Sequence, residues 1–451
     1  MESSLKMLVV AQTVLWWVFI VLLISTAIIF IGFYLRGAFR DRLRYKIKHA
    51  PLPDDPLFPY IMATTTNSFL SRGQVTDFWN EPGSIQQARI EAIKQAQQTI
   101  DFETFFMTPG IRADDFAAAI AERATAGVEV RLIVDHYGTK DLSSQYWGRL
   151  RNCGVKISFF NSPRWQAPLD YAGRTHRKLL IIDGEFALIG GAGISDLWDG
   201  REKEDDTQPW LDVEVRIVGE VVGTLAGVFS QHWAFDDGTV DFARNKFRAL
   251  QNEQKRDNQN QGDQSQEQLM IVVPGANPRI RFSPIQTFKY NSIICARKKI
   301  WLASPYFLPD RHSIDLLVAA KQDGVDVRIL TTSQRSDKKP VYYASYEHYG
   351  KLLQGEVEIY EFDPSMTHAK MLLIDDLWAT TGSANFDPRS LCHNEELDIC
   401  SAQPQLVEGI KKTFERGFAQ SKRITLAEWQ KRSLIKHRIL GNIVDFFQWQ
   451  L

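Results

Sequence analysis

Hydrophobic and polar positions follow two periods along most of the chain. Between residues 85 and 98 the apolar positions have helical spacing, and the segment TIDFETFF that begins at Thr99 then alternates with period 2, as strands do. Helical spacing returns over residues 115–126, Gly127 ends that helix, and the strand-like segment VEVRLIV follows. Helices and strands in this order predict an α/β fold.

The same order of elements returns in the second half of the chain. A strand-like segment KIWLA begins at Lys299, a helix is predicted over residues 316–322, and Gly324 ends it before the strand VDVRIL. The sequence GVEVRL at Gly127 matches GVDVRI at Gly324, 197 positions later. Because this distance far exceeds the roughly 20–50 residues of a solenoid repeat, the pattern predicts two duplicated domains.

The beginning of the chain has a different pattern. Residues Leu8 to Leu35 are almost continuously apolar, and this run exceeds the length of about 20 residues that spans a bilayer. A cleavable signal peptide has a shorter apolar region of about 7–15 residues, and a buried core helix lacks the six basic residues found here between Arg36 and Lys48. By the positive-inside rule, we expect a single-pass anchor in the cell membrane with the rest of the chain facing the cytoplasm.

These patterns divide the chain into six predicted segments. They are a transmembrane anchor with its basic flank (1–48), a proline-rich linker that leads into the domain (49–83), a first half (84–250), a polar flexible linker without large apolar residues (251–268), a second half (269–420) and an amphipathic basic C-terminal helix (421–451). The last helix suits an anionic membrane surface, and it suits packing against the domain equally well.

Composition narrows the class of protein without indicating a chemistry. Hydrophobic residues make up 44% of the chain and charged residues 24%, as in globular proteins. The formal net charge is −1, so the chain has no global basic field that would attract nucleic acid. Its four cysteines form no C-x-x-C pair and predict reduced thiols instead of a disulfide framework.

Two copies of a short motif carry the candidate chemistry. His176 and Lys178 begin the segment HRKLLIID, and His368 and Lys370 begin HAKMLLID, 192 positions later and close to the offset of the repeat. The apolar residues after each lysine predict a buried strand, on which side chains two positions apart point to the same face. Each histidine is therefore expected to lie beside the lysine of its own motif.

Each motif ends in an aspartate five positions after its lysine. On a regular strand, Asp183 and Asp375 have the opposite parity to the histidines and lysines. We expect these two aspartates to hold a strand end or a neighbouring loop.

A pocket of two histidines and two lysines suits the chemistry of phosphodiesters. The lysines would neutralise the phosphate and stabilise the charge that develops at phosphorus in the transition state. One neutral histidine can attack phosphorus to form a covalent intermediate, and a second, protonated histidine can donate to the leaving alkoxide and later act as a base. This chemistry requires neither a cofactor nor a metal ion, and we expect none.

The duplicated H-x-K-x4-D motif, with GSAN at residues 382–385, resembles the signature of the phospholipase D superfamily over residues 84–420. The strings YAGRTHRKLLIID (171–183) and HAKMLLIDDLWATTGSANFD (368–387) are similar to the bacterial cardiolipin synthase branch. The resemblance implies two duplicated α/β/α sandwich halves that share one central active site. It also implies roles for the motif residues: a nucleophile, His176; a general acid and base, His368; and ligands of the phosphate oxygens, Lys178, Lys370 and Asn385.

The resemblance further implies an acid that orients each histidine through its second ring nitrogen. In the second half Glu396 has this place, with Glu395 as the fallback. In the first half Asp212 aligns with Glu396.

The turn after each motif differs between the two halves. The second half has Ser383 and Asn385 in the G-[SG]-x-N pattern, whereas the first half has Gly193 where the family has asparagine. A phosphate contact from an amide side chain of the first half is therefore expected to be absent or replaced.

The resemblance, together with the anchor, implies a membrane-anchored, cardiolipin synthase-like phosphatidyltransferase that acts through a covalent phosphohistidine intermediate. Its expected partners are the membrane and phospholipid substrates, with phosphatidylglycerol among them. Three alternatives remain from the sequence: a phospholipase D that hydrolyses phospholipids to phosphatidic acid, a membrane-tethered nuclease that needs no metal, and a binding protein that kept only the fold. The near-zero net charge argues against nucleic acid as a partner, and the two intact His-x-Lys pairs argue against a non-catalytic protein.

Overall fold

The computed structural model describes residues 2–35, 47–163, 173–202, 205–206, 208–237, 244–251, 268–275 and 283–446. The chain forms two units, residues Met1–Lys46 and residues Ile47–Leu451. Apart from its two ends, the predicted polar linker 251–268 lies outside the described residues.

The N-terminal unit is a single helix, Glu2–Leu35. Its segment Val9–Gly32 has 24 residues and is long and apolar enough to cross a bilayer. A core helix of a globular protein would bury its apolar side chains, whereas Trp16, Leu22 and Ile28 are exposed here. This helix is therefore a candidate membrane span.

The second unit is built on one large β-sheet. The strands of this unit are β1 (Phe69–Trp79), β2 (Thr99–Thr104), β3 (Glu129–Asp135), β4 (Lys156–Phe160), β5 (Leu179–Ile182), β6 (Phe186–Gly190), β7 (Arg201–Glu202), β8 (Asp205–Asp206), β9 (Glu214–Val218), β10 (Gln268–Pro274), β11 (Lys299–Ser304), β12 (Asp326–Thr332), β13 (Glu358–Phe362), β14 (Met371–Ile374), β15 (Trp378–Gly382), β16 (Leu397–Ser401) and β17 (Ser421–Ile424). Fifteen of them form the sheet in the order β17-β13-β12-β11-β14-β15-β16-β10-β1-β9-β6-β5-β2-β3-β4, and β7 pairs only with β8.

The strand order is symmetric about the central pair β1 and β10. Outward from β10 come β16, β15, β14, β11, β12 and β13, and outward from β1 come their equivalents β9, β6, β5, β2, β3 and β4. In each half three consecutive strands, β11–β13 or β2–β4, are parallel, and the other neighbours are antiparallel, including β17, which has no counterpart in the first half. The sheet thus shows the duplication that the sequence repeat predicted.

Helices cover both faces of this sheet. The helices are Phe58–Thr65, Pro82–Gln95, Ile111–Thr125, Ser144–Asn152, Glu220–Asp237, Pro284–Cys295, Arg311–Gln322, Lys339–Gln354, Pro388–Cys392, Pro404–Ala419, Leu426–Gln430 and Asn442–Phe446, with 3-10 turns at Asp196–Asp199 and Arg244–Phe247 and a π-helical segment at Leu434–Gly441. On one face, Glu220–Asp237 and Pro404–Ala419 share a single hydrophobic core that includes Phe229 and Phe414. On the other face each half has its own core. The fold is therefore a duplicated α/β/α sandwich.

Residues 49–83 are not a linker, contrary to the prediction from their prolines. They contain the helix Phe58–Thr65 and β1, which pairs with β10 on one side and β9 on the other. Four of their five prolines lie at or before Pro59, and the strand that follows is stabilised by partners far along the chain, such as Val218 for Gln74. A local sequence pattern does not show such pairing.

Residues 421–451 do not form one helix, which also differs from the prediction. Ser421–Ile424 is β17, which pairs with the outer edge of β13, and separate helical turns follow it. The edge strand β13 offers unpaired backbone groups to residues 421–424. The hydrogen bonds formed with this edge outweigh the helical spacing of the apolar residues. Residues 447–451 lie outside the described residues.

Candidate active site

The two His-x-Lys motifs lie in equivalent segments, directly before β5 and β14. Each segment is bonded to the opposite half of the sheet. The amide of His176 donates to the carbonyl of Glu395 at 2.8 Å, and the amide of His368 donates to the carbonyl of Leu211 at 2.6 Å. These backbone bonds bring together two motifs that are 192 positions apart in the chain.

Each histidine is held by a carboxylate from the other half. Nδ1 of His176 lies 2.9 Å from Oε2 of Glu396, and Nδ1 of His368 lies 2.8 Å from Oδ2 of Asp212. Because an ionised carboxylate only accepts hydrogen bonds, Nδ1 of each ring donates and Nε2 keeps its lone pair. Alignment of the two halves identifies these acids, but it does not show that they are exchanged.

Glu395, the fallback for Glu396, is bonded elsewhere. Its side chain lies 3.2 Å from Nη2 of Arg177 and 3.4 Å from Nε2 of His232. These contacts fix the backbone whose carbonyl binds the amide of His176. Glu395 therefore supports the site without touching an imidazole of the two motifs.

Both acids that hold a histidine are ionised. Burial acts to raise the pKa of Glu396, but His176 and the lysine of its motif lie beside the carboxyl and the pKa is lowered. The pKa of Asp212 is likewise lowered, against the effect of burial, because His368 and the second lysine are its neighbours. The negative charge of each acid supports positive charge on its histidine.

The pKa values of the four basic groups of the motifs are all lowered. Burial lowers the pKa of His176 to about 4 and that of His368 to about 3, and the charge of the neighbouring lysines acts in the same direction. Burial also lowers the pKa of Lys370 to about 8 and that of Lys178 well below its usual value. A bound phosphate would raise all four pKa values, because opposite charge favours the protonated form.

The two lysines contact their histidines in different ways. Nζ of Lys178 donates to the backbone carbonyl of His176 at 2.6 Å. Nζ of Lys370 donates to the carbonyl of His368 at 2.5 Å and also lies 2.8 Å from Nδ1 and 3.0 Å from Nε2 of that ring. In the described part of the chain no residue makes a comparable contact with Nε2 of His176.

Aromatic side chains enclose both imidazoles. The ring of Phe105 lies edge-on to His176 with centroids 5.1 Å apart. Trp198 lies edge-on to His368 at 4.9 Å and donates from Nε1 to Oδ2 of Asp212 at 2.8 Å, and the ring of Trp210 stacks with that of His368 at 6.0 Å. No sequence pattern indicates Phe105 or Trp198 as part of the site, and Trp210 is indicated only by its position two residues before Asp212.

The turn of the second half contributes two residues to the site. The hydroxyl of Ser383 donates to Oε2 of Glu396 at 2.6 Å, and its carbonyl oxygen lies 2.9 Å from Nδ1 of His176. Asn385 is buried, and its Oδ1 has no hydrogen-bond partner among the described residues. A buried amide without a partner is costly unless a ligand supplies one.

The turn of the first half has no room for a second asparagine. A Cβ atom at Gly193 would lie 2.8 Å from the carbonyl oxygen of Phe106 and 3.0 Å from the ring of Trp198. The indole that holds Asp212 therefore occupies the space that a side chain at position 193 would need. This packing explains why the first half departs from the family pattern.

A cation on the first helix of each half fixes these turns. Arg89 donates to two turn carbonyls of the first half at 2.8 and 3.2 Å, and Lys289 donates to the carbonyl of Ala384 at 2.7 Å. Each cation is paired with a buried acid, Glu214 or Asp398, two positions beyond the acid that holds a histidine. Both halves thus support their turn with the same kind of buried ion pair, which no sequence pattern indicates.

Asp183 and Asp375 lie at the far ends of β5 and β14, away from the histidines. Asp183 accepts from the amides of the residues that begin β2, including that of Thr99 at 2.8 Å. Asp375 accepts in the same way before β11, including from the amide of Lys299 at 2.7 Å. Both aspartates hold strand ends and do not take part in the site.

Comparisons with known proteins agree with this geometry. Residues 89–199 and 291–417 match the family described as "Cardiolipin synthase, PLD-like domain". The chain is 31% identical over 360 residues to cardiolipin synthase 1 of Bacillus cereus, and the aligned region covers 79% of this chain and 68% of that protein. It is 30% identical over 351 residues to cardiolipin synthase 2 of Bacillus anthracis, which covers 77% of this chain. The chain spans 65% of the length of that second relative.

A solved structure shows the same fold. The crystal structure of phosphatidylserine synthase from Haemophilus influenzae superposes with a TM-score of 0.66 at 13% sequence identity, and it covers 87% of this chain and 100% of that chain. At this identity the similarity concerns the fold alone. The duplicated sheet and the paired motifs agree with this fold. The two matched segments show that the chain belongs to the family of cardiolipin synthase, phospholipase D-like domains.

Proposed function

We propose that this protein is a membrane-anchored phosphatidyltransferase that moves a phosphatidyl group from one phospholipid to a hydroxyl of another. The observation that carries this proposal is the meeting of His176, Lys178, His368 and Lys370 in one buried site. Two histidines with fixed tautomers and two lysines supply a nucleophile, an acid and base, and charge for the phosphate. The relatives named cardiolipin synthase support phospholipids as substrates and cardiolipin as the product.

His176 is the nucleophile in this proposal. Glu396 fixes the proton on Nδ1, and the lone pair of Nε2 is available for attack on phosphorus. The low pKa of the ring, about 4 because of burial, keeps it neutral before the substrate binds. Lys370 lies 3.0 Å from Nε2 of His368 and would have to move before that ring could attack phosphorus. No residue in the described ranges blocks Nε2 of His176 in this way.

His368 is the general acid and base. Lys370 lies 3.0 Å from its Nε2, and the pKa of this lysine is lowered to about 8 by burial. A phosphodiester anion bound between the lysines raises the pKa of His368, so the ring is protonated when the leaving group needs a proton. Asp212 then stabilises the imidazolium through Nδ1.

The reaction takes place in two displacements at phosphorus. In the first, a bond from Nε2 of His176 to phosphorus forms, the bond to the glycerol oxygen of phosphatidylglycerol breaks, and His368 gives that oxygen its proton. In the second, His368 takes the proton of a hydroxyl on a second phosphatidylglycerol, whose oxygen bonds to phosphorus as the bond to His176 breaks. Two molecules of phosphatidylglycerol thus yield one cardiolipin and one glycerol.

The membrane location follows from the N-terminal unit. The candidate span Val9–Gly32 would hold the enzyme at the bilayer that contains its substrates. The basic residues between Arg36 and Lys48 support an orientation in which the catalytic unit faces the cytoplasm.

The proposal is tested with the purified full-length protein and vesicles that contain phosphatidylglycerol. We expect cardiolipin and free glycerol in equal amounts. Formation of phosphatidic acid without cardiolipin would mean that the enzyme hydrolyses phospholipids and does not transfer the phosphatidyl group. The absence of any lipid product would overturn the assignment of phospholipids as substrates. His348→Ala, a histidine on the helix Lys339–Gln354, is the matched control for substitutions at His176.

A further inference from the structure

A row of exposed aliphatic side chains marks the C-terminal part of the second unit. In the segment 433–444, here called the C-terminal platform, four large side chains are exposed by half or more: Leu434 (60%), Ile435 (70%), Ile439 (51%) and Ile443 (53%). The last three are four positions apart and therefore lie along one side of the helical segment. A soluble surface seldom keeps aliphatic side chains in such a row without a partner.

The opposite side of the platform is firmly packed on the helix Lys339–Gln354. The ring of His437 lies 4.7 Å from that of Tyr346 and 5.2 Å from that of Tyr343, and Gly441 is buried against the same helix. The platform is thus a preformed surface and not a loose tail. Its exposed row is what remains after the packing with the domain is complete.

The residues just before the platform fix its position. Arg432 forms a two-bonded ion pair with Glu347, and its guanidinium lies 3.5 Å above the ring of Trp429. The indole of Trp429 donates to the carbonyl of Tyr346 at 2.7 Å. These contacts hold the start of the platform on the same helix.

The charge around the exposed row is predominantly positive, and Glu428 and Asp445 are the acids that flank it in the chain. Residues 429–444 contain four lysines and arginines and no acid, in a chain whose net charge is −1. Lys431, Lys436 and Arg438 are exposed, and no acid in the described ranges forms an ion pair with them. Aliphatic side chains bordered by exposed cations fit the surface of a bilayer that contains anionic lipids.

The platform is connected to the active site through one hydrophobic contact region. Val444 packs in a cluster with Leu308 and Val341, and Tyr306 lies against this cluster. Tyr306 also packs against the cluster that includes Trp198 and encloses His368. Packed side chains therefore run from the platform to the residues that enclose His368.

We propose that the C-terminal platform docks on the surface of an anionic phospholipid bilayer and presents the active site to its lipids. This inference rests on the proposed action on phospholipids, and it adds the surface through which they are reached. A second copy of the chain fits less well, because a stable protein interface needs roughly 20–30 residues on each side. A bilayer needs only a short apolar face with a basic border.

The first test reports the surroundings of Ile439 directly. An environment-sensitive dye is attached to Ile439→Cys in the full-length Cys153→Ala protein, since the other three cysteines are buried. In vesicles with phosphatidylglycerol we expect a blue-shifted emission and quenching by spin-labelled lipids. A dye at Leu377→Cys, an exposed position at the end of β14 away from the site, is the matched control and should stay water-like.

The charge of the border is tested with the same dye. In K431E/K436E/R438E the equilibrium constant for docking should fall by roughly a hundredfold, because each of the three cations contributes about a factor of five at an anionic surface. A water-like dye at Ile439 in the parent protein would overturn the proposal. A shift that depends on the protein-to-lipid ratio and not on anionic lipid would indicate a second copy and would overturn it as well.

Activity separates docking from chemistry. I435S/I439S/I443S should lose about tenfold or more on vesicle phosphatidylglycerol and keep its rate on a short-chain, monomeric phosphatidylglycerol. An equal loss on both substrates, or no loss on vesicles, contradicts docking. If the parent protein transforms neither substrate, the proposed function fails, while the dye measurement still decides the platform.

Discussion

His176 and Glu396 are 220 positions apart in the chain, yet Nδ1 of the imidazole lies 2.9 Å from Oε2 of the carboxylate. The equivalent pair, His368 and Asp212, is related to it by the symmetry of the sheet. In both pairs the acid comes from the half that does not contain the histidine. The site exists only where the two halves meet.

The exchanged acids are expected to be essential for turnover. Glu396→Gln leaves a neutral amide beside His176 that no longer fixes the proton on Nδ1 or supports the positive charge of the phosphorylated ring. We expect kcat for cardiolipin formation to fall by about 10²- to 10⁴-fold. Glu395→Gln is the matched control, because this neighbour does not touch the imidazole, and a loss of similar size in both variants would contradict the assignment.

The covalent intermediate should be trapped on His176. In His368→Ala the second displacement lacks its base, whereas a phosphatidyl donor with a p-nitrophenol leaving group needs no acid for the first. This variant should release one equivalent of p-nitrophenol in a burst and gain the mass of a phosphatidyl group. Peptide mass spectrometry that places the group on any residue other than His176, or a burst that persists in His176→Ala, would reverse the roles of the histidines.

With a phosphatidyl donor whose p-nitrophenol leaving group needs no acid, the pH dependence of kcat/KM should follow His176 and Lys370. Burial lowers the pKa of His176 to about 4, so the nucleophile remains neutral above that pH and the rate falls only when the pH drops through this value. The pKa of Lys370 is lowered to about 8 by burial, so the rate falls again as the pH rises through 8 and the ammonium is lost.

The alkaline side of the profile can be assigned by substitution. Lys370→Arg keeps its charge to much higher pH. Its rate should be reduced at pH 7, but the decline near pH 8 should disappear. A decline that stays at the same pH in this variant would mean that another group is responsible.

Gly193 should not accept a side chain. In Gly193→Ala the new Cβ meets the carbonyl oxygen of Phe106 and the ring of Trp198, and we expect a loss of about 1–3 kcal/mol in the free energy of unfolding. Because Trp198 donates to Asp212, activity should fall as well. Gly227→Ala, on the helix Glu220–Asp237 with nothing within 4 Å of the new Cβ, should be neutral or stabilising. Thermal unfolding in detergent distinguishes the two variants, and equal melting temperatures would contradict the expected clash.

The sequence contains enough information for the motif residues and the duplication. Identical spacing from His176 to Asp183 and from His368 to Asp375 marks a repeat, and period 2 separates the residues of the site from those of the strand ends. These features depend on local order, so one sequence can show them.

Other parts of the site depend on contacts between distant segments. The strand β1 is central because it pairs on both sides, and its own residues do not reveal either partner. Trp198 reaches His368 from 170 positions away, and the exchange of Glu396 and Asp212 follows from how the halves face each other. Such contacts arise from packing, and local propensity does not determine them.

The exchange of acids also bears on how such a protein could have originated. A single half holds a histidine without its acid and an acid without its histidine, so alone it could complete a site only as a twofold symmetric homodimer. Joining two copies in one chain removes the need for identical subunits. Each copy can then change independently. One half has a tryptophan in the space beside Gly193, and the other has Asn385, whose Oδ1 has no partner among the described residues, an asymmetry that a homodimer could not acquire.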